Sequence, residues 1–342
     1  MRVLIVTAVP AERDAVVRGV GATAPEVAEL PVPGGVIHRL SPMPPTGPPL
    51  TVDVLAAGVG PAAAAAGTAA ALTAAAVART PYDLAVSAGI GGGFSTPRPG
   101  TARLAPGTSH PRPGTPHPDT PHPGTGTSTA PASSAALPGP DTGPGHSHSP
   151  GTVPPDTGTA PLGPPDTDTA PLGPPDTDTV PPGPGTVPLG SIVVADAIVA
   201  ADLGAETPDG FTAVTDLGFG TVEHLPPAPL VAAVAEATNA VRGTVLTVST
   251  VTGSAERVAE LLRRHPRAAA EAMEGFGVAE AAAAQSVPVL EVRAVSNTVG
   301  PRDRAAWRIG EALEALTGAF GTLAPLLPLL GTWTSDPEGT RQ

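Results

Sequence analysis

The sequence predicts an α/β fold built on a parallel or mixed sheet, with a long Pro/Gly-rich insertion that takes no part in the core. Three observations carry this. Apolar runs of strand length alternate with stretches of helical length, as expected of strands and helices packed in layers. Between residues 96 and 188 that pattern stops. The chain there is mainly Pro, Gly, Thr, Asp, Ser and His, with the repeat GPPDTDTAPL at 163–172 and GPPDTDTVPP at 173–182. Finally, 41 Gly and 47 Pro among 342 residues exceed average use. Without the Pro-rich block roughly 250 residues remain, enough for one α/β domain with a sizeable core.

Residues 2–9, apolar except Arg2 and Thr7, read as a strand covered on both faces. Pro10 ends it and a helix follows over 12–20. A second strand at 51–57 stops at Gly58-Val59-Gly60, a strand-to-helix turn. The Ala-rich helix at 61–78 comes next, with Pro61 in its first turn, where proline is tolerated. A third strand at 83–87 enters a glycine turn, GIGGGF, at 89–94. The insertion, 96–188, cannot bury enough surface to offset its ordering entropy and is expected to be disordered and extended. Its histidines, His110, His117, His122, His146 and His148, follow no compact ligand spacing, so no metal site is expected.

Order resumes at Leu189. Strands are expected at 191–199 and 244–251, and a helix at 255–264 with Ser254 as its N-cap. A helix starts near Glu274 and runs to Gln285. The last core strand is 287–296, and a closing helix spans 304–327 with an interruption at Pro325. The expected domain is therefore 1–95 with 189–330, followed by a polar, frayed tail at 331–342.

Composition excludes several chemistries. With no cysteine there is no disulfide, Cys-ligated metal or thiol nucleophile. With no lysine there is no Schiff base or P-loop lysine. The net charge of −13, without a basic run, argues against nucleic acid or an anionic membrane as partner. The opening apolar run is too short for a signal segment, and the Ala-rich helix is too weakly hydrophobic for a membrane span. A cytoplasmic protein is expected.

Ligands of open α/β sheets bind beyond the carboxyl ends of the strands. The polar residues at those ends are Glu12, the glycines of 89–93, Ser296 and Asn297, with Met273-Glu274 before a helix. GIGGGF lacks the third glycine of a dinucleotide fingerprint but could cradle an anion. Glu274 is a carboxylate among small apolar residues and needs a partner, a ligand or a helix start.

Taken together, MRVLIVTAVPAER, the turn at 89–93, EAMEGFGVAEAA at 271–282 and EVRAVSN at 291–297 resemble the nucleoside phosphorylase superfamily. The similarity is to its hydrolases, such as the methylthioadenosine/S-adenosylhomocysteine nucleosidases. MEGFGVAEAA followed by VSNTVGPRDRAAW is closer still to the futalosine hydrolases. The resemblance implies a three-layer fold with a central mixed sheet flanked by helices. It implies a homo-oligomer, a purine nucleoside (futalosine) as substrate, and no metal or organic cofactor. It places Glu12 at the carboxylate that activates water and Met273 and Glu274 at the ribose. Gly89 and Gly91 fall in the glycine turn, and Ser296 and Asn297 at the purine, with Arg293 on the strand leading there. Ile90 stands where those nucleosidases have serine. For the substrate's benzoate end, Arg302, Arg304, Trp307 and Phe219 are candidates, and Phe219, Phe276 and Trp307 are the candidates for stacking on a base.

Asn297 carries a chemical argument of its own. A 6-oxopurine offers acceptors at O6 and N7, which an amide group can meet as donor. A 6-aminopurine offers a donor and an acceptor. The residue therefore favours hypoxanthine or guanine, unless it only caps a turn. Two rivals remain. A phosphorylase would need Arg13, Arg39 or Arg79 to converge on phosphate, and a non-catalytic nucleoside-binding protein would leave the Pro-rich insertion as the working part.

Overall fold

A computed structural model describes residues 1–22, 26–41, 49–95 and 185–330. The chain before the insertion forms β1 (Arg2–Thr7), α1 (Pro10–Gly21), β2 (Val27–Val32), β3 (Gly35–Leu40), β4 (Thr51–Ala56), α2 (Pro61–Val77) and β5 (Leu84–Gly93). After it come β6 (Ile192–Ala200), β7 (Gly204–Thr207), β8 (Gly210–Ala213), β9 (Glu223–His224), α3 (Ala228–Thr238) and β10 (Val241–Thr247). Then follow α4 (Ala255–Arg264), β11 (Ala268–Ala272), α5 (Gly275–Ala283), β12 (Val289–Thr298), α6 (Ile309–Leu323) and α7 (Leu327–Leu330).

One mixed sheet runs β11-β10-β6-β12-β5-β1-β4-β3-β2, and β11 also pairs with β5. Strands β5, β12, β6, β10 and β11 thus close into a ring. The pairs β1–β4, β1–β5, β5–β12, β6–β10 and β10–β11 are parallel, whereas β6–β12 and β5–β11 are antiparallel. The continuous apolar run of β1 has the expected cause. Val3 and Ile5 enter one core with α1, α3 and α6, while Leu4 and Val6 enter a second with α2 and α5. This is the three-layer architecture expected from the resemblance. Among the described residues, no helix is long and apolar enough to cross a membrane.

The described residues differ from the sequence expectation in several features, α3 and the short strands β7, β8 and β9 among them. The glycines at 89–93 are not a turn but the second half of β5. Their φ angles are not positive; they are glycine because neighbours come too close for a side chain. A Cβ at Gly89 would lie 2.6 Å from Arg293 Nη1 and 2.7 Å from Glu12 Oε1, and one at Gly91 2.8 Å from the Glu271 carbonyl oxygen. The hairpin β2–β3 was not expected. Its signal was Pro33-Gly34, with Gly34 at φ +85°, a conformation that glycine adopts without strain. Strand β11 was not expected either, because AAAEA has the local preference of a helix; the ring buries all five residues and overrides it. The closing helix divides into a 3-10 turn at Arg304–Ala306, α6 and α7.

Order resumes earlier than Leu189: the Val187 backbone N–H donates to the Phe94 carbonyl at 3.0 Å and its side chain is buried. Residues 96–184, with the repeats and the five histidines, and the tail at 331–342 lie outside the described residues. Ser254 caps α4 as expected, its hydroxyl accepting from the Arg257 N–H at 3.2 Å.

Candidate active site

A cavity of about 360 Å³ opens at the carboxyl ends of β1, β5 and β12. Of the residues expected at the site, Glu12, Gly91, Met273, Glu274, Ser296 and Asn297 line it. Gly89 does not; it lies one layer deeper, beneath Glu12 and Arg293.

Glu12 stands in the first turn of α1 because β1 ends two residues before that helix. Its carboxylate folds back onto the strand end. Oε2 accepts from the N–H groups of Ala8 (3.0 Å) and Val9 (3.3 Å), and Oε1 from that of Ile90 (2.9 Å). Ile90 therefore contributes its backbone N–H to the site, whatever its side chain. Burial raises the Glu12 pKa above the ordinary 4.5, while the Ile90 N–H and Arg293 oppose that rise.

Glu274 is the N-cap residue of α5. Its Oε1 accepts from the Gly60 N–H at 3.2 Å, and its Oε2 lies 3.2 Å from Arg293 Nη1. Gly60 turns the chain from β4 into α2 at φ +93°, a left-handed conformation that aims its N–H at this carboxylate. The Gly-Val-Gly turn thus has a second use beyond linking strand to helix.

Arg293 joins these carboxylates. It is fully buried, its Nε donates to Glu291 Oε1 at 2.8 Å, and its Nη2 donates to Ser87 Oγ at 2.7 Å. Burial disfavours the charge, but Glu291, Glu274 and Glu12 outweigh it and hold the guanidinium pKa above its usual value. Glu291 is itself fully buried, and burial raises its pKa despite Arg293. Gly275 makes room for it, since a Cβ there would collide with the Glu291 carboxylate. Three carboxylates surround one guanidinium, and the two that line the cavity, Glu12 and Glu274, make its floor acidic.

On β12 the register against β5 slips between Val295 and Asn297, which leaves Ser296 as a bulge. Bulges re-aim side chains and recur beside active sites. Here the Ser296 hydroxyl lies 2.9 Å from Asn297 Oδ1 and 3.2 Å from the Gly91 carbonyl, and Asn297 Nδ2 donates to the Thr298 carbonyl at 3.0 Å. With Oδ1 held by the serine, the second N–H of the amide is available to the cavity.

Arg302 and Trp307 line the cavity, and the guanidinium carbon lies 5.4 Å from the centre of the indole ring. The other candidates are elsewhere. Phe219 is 62% exposed, and Phe276 is buried against the His224 ring with centroids 5.3 Å apart. Neither they nor Arg304 line the cavity. The arginines that a phosphate site would need are also placed elsewhere. Arg13 pairs with Asp14 at 2.8 Å, Arg39 pairs with buried Asp53 at 2.7 Å, and Arg79 follows the end of α2.

Among the polar residues of the cavity wall, sequence reasoning missed Glu271 and Thr252. The Thr252 N–H donates to Glu271 Oε1 at 2.9 Å and its hydroxyl donates to Oε2 at 2.5 Å. The available signal was a carboxylate within a run of alanines, two residues before Met273.

Comparison with known proteins agrees with this geometry. The pattern of the Phosphorylase superfamily matches residues 183–324. A futalosine hydrolase of Streptomyces coelicolor is 51% identical over 96% of this chain and 97% of its own. One from Acidothermus cellulolyticus is 44% identical over 45% of this chain and 63% of its own. Among solved structures, the futalosine hydrolase of Helicobacter pylori superposes with a TM-score of 0.54 at 15% identity, covering 95% of this chain and 97% of that one. A methylthioadenosine/S-adenosylhomocysteine nucleosidase of Colwellia psychrerythraea, in complex with adenine, gives 0.54 at 18% identity, covering 97% of this chain and 95% of that one. The two structures share the fold, and the identity to the Streptomyces protein across nearly the full length of both chains carries the closer assignment. The chain belongs to the futalosine hydrolase family, within the phosphorylase superfamily.

Proposed function

We propose that this protein hydrolyses the N-glycosidic bond of futalosine, giving hypoxanthine and dehypoxanthine futalosine in menaquinone biosynthesis. Its membership of the family supports this. The observation that carries it is the acidic floor, where Glu12 and Glu274 gather around Arg293. Departure of a purine leaves positive charge on the ribosyl ring, and fixed carboxylates beneath it stabilise that charge. The same floor repels a phosphate dianion, which favours water over phosphate as the nucleophile.

In this mechanism Glu274 accepts hydrogen bonds from the ribose hydroxyls and Met273 packs against the sugar. The electron pair of the C1′–N9 bond passes to the purine, where the Asn297 amide donates to N7 or O6. Glu12 takes a proton from the water that attacks C1′, and that proton completes the departing hypoxanthine. Burial helps Glu12, because a raised pKa makes a stronger base at neutral pH, and acid–base help of this kind is worth about 10²–10⁴-fold. No step calls for a metal or an organic cofactor. The Arg302 guanidinium and the Trp307 ring offer charge and apolar surface to the benzoate end.

The same reading makes 1–95 with 189–330 the catalytic domain and 96–188 an insertion beside it. It also places the enzyme in the cytoplasm as a homo-oligomer, by analogy with the superfamily. Hypoxanthine release from futalosine in phosphate-free buffer, followed by chromatography, tests the reaction. Release that appears only after phosphate is added would instead mark a phosphorylase.

A further inference from the structure

We propose that Glu271 accepts a hydrogen bond from N1–H of the 6-oxopurine and, together with Asn297, decides which purine the cavity takes. This rests on the reading that the base lies against Asn297.

Placement is the first argument. Gly92 of β5 has two partners in register: Glu271 on β11 and Asn297 on β12. Residues directly opposed on adjacent strands project to the same face. The Asn297 amide does lie on that face, since a Cβ at Gly92 would be 3.2 Å from Asn297 Nδ2. Both Glu271 and Asn297 line the cavity, with Gly92 between them. Two strand spacings separate their backbones, about 10 Å, and a flat base with hydrogen bonds at its rim fits that gap. The missing side chain at Gly92 leaves the space open.

The second argument is the order of groups on the base. Along one edge of hypoxanthine come N7, O6 and N1–H: acceptor, acceptor, donor. The free N–H of Asn297 can donate to either of the first two. The next neighbour around the edge must accept, and a carboxylate accepts only. In a 6-aminopurine the N1 position is a lone pair, which a carboxylate repels.

The third argument is the state of Glu271. It is 4% exposed and forms no side-chain ion pair among the described residues; its two hydrogen bonds there come from Thr252. These two donors fix the plane of the carboxylate and leave lone pairs on each oxygen for a ligand. A buried carboxylate at a cavity wall is costly unless something there uses it.

The test is the ratio of kcat/KM for futalosine to that for its 6-amino analogue, in the full-length protein and in Glu271→Gln. The glutamine keeps the shape. Its Oε1 still accepts from the Thr252 N–H, and its amide then turns an N–H to the cavity in place of a lone pair. The expected result is a fall in the ratio of at least tenfold, through loss on futalosine and gain on the analogue. Equal losses on both nucleosides, with an unchanged ratio, would mean that Glu271 only ties Thr252 to β11 and would overturn the proposal. If Glu271→Gln does not fold, Thr252→Val frees Oε2 and is read on the same ratio, with a fall of at least threefold expected and no change overturning the proposal. Titration of the wild-type protein and the variant with free hypoxanthine and free adenine separates this claim from the reaction. A wild-type protein that turns over neither nucleoside would refute the hydrolase reading. The base preference and its reversal by Glu271→Gln would still be measured directly by binding, and equal affinity of the wild-type protein for the two bases would overturn the role of Glu271.

Discussion

At the scale of single residues, the site depends on how one guanidinium is shared. Arg293 is buried with Glu291 and lies 3.2 Å from Glu274. Removing one member of such a buried set leaves charge without compensation, at a cost of about 3–5 kcal/mol. Glu291→Gln is therefore expected to lower the melting temperature and to reduce turnover by releasing Arg293 from its position under Glu274. A variant with wild-type melting would contradict the structural part of that statement. Glu12→Gln sets an amide N–H₂ against backbone N–H donors, so it should lower the melting temperature as well as reduce kcat by about 10²–10⁴-fold. Its titration also has a sign. The active base is the carboxylate, and burial raises its pKa above 4.5. Activity is therefore lost as pH falls through a value higher than an exposed glutamate would show. A kcat/KM profile that stays flat down to pH 4.5 would contradict this. Asn297→Asp replaces a donor to O6 by an acceptor, so futalosine turnover should drop on the order of 10²-fold, measured against the 6-amino analogue.

At the scale of elements, glycines set how closely the layers approach the site. Gly277 of α5 packs on the start of α2, where a Cβ would collide with the Pro61 carbonyl. Gly277→Ala forces α2 away at a cost of about 1–3 kcal/mol. The shift also withdraws Gly60, whose N–H holds Glu274. Thermal melting and futalosine turnover are both expected to fall. Lower stability with full turnover would show that the α2 turn does not position that carboxylate.

This is also the scale at which the sequence misleads. GIGGGF reads as a turn because glycine strings usually allow one, yet the glycines answer to crowding by Glu12, Arg293 and the β11 backbone. Such crowding is tertiary and leaves no local trace. AAAEA goes unassigned because alanine prefers helix and gives no strand signal, and only the closure of the ring makes it β11. With that strand unread, Glu271 could not be placed.

At the scale of the whole molecule, the alternating pattern was enough to predict layers. β1 carries an apolar side chain at each position from Val3 to Val6 because two cores claim alternate residues. The ends of β1 and β12 and the start of α5 were also legible, which is why Glu12, Met273, Glu274, Ser296 and Asn297 were expected together and do line one cavity. What was not legible depends on pairing between distant strands: the ring, the bulge at Ser296 and the placement of Glu271 opposite Gly92. The central claim is that this acidic floor runs hydrolysis of an oxopurine nucleoside. The most direct measurement is hypoxanthine release from futalosine in phosphate-free buffer. The account predicts full release there, with no increase when phosphate is added. Release that depends on phosphate would contradict it.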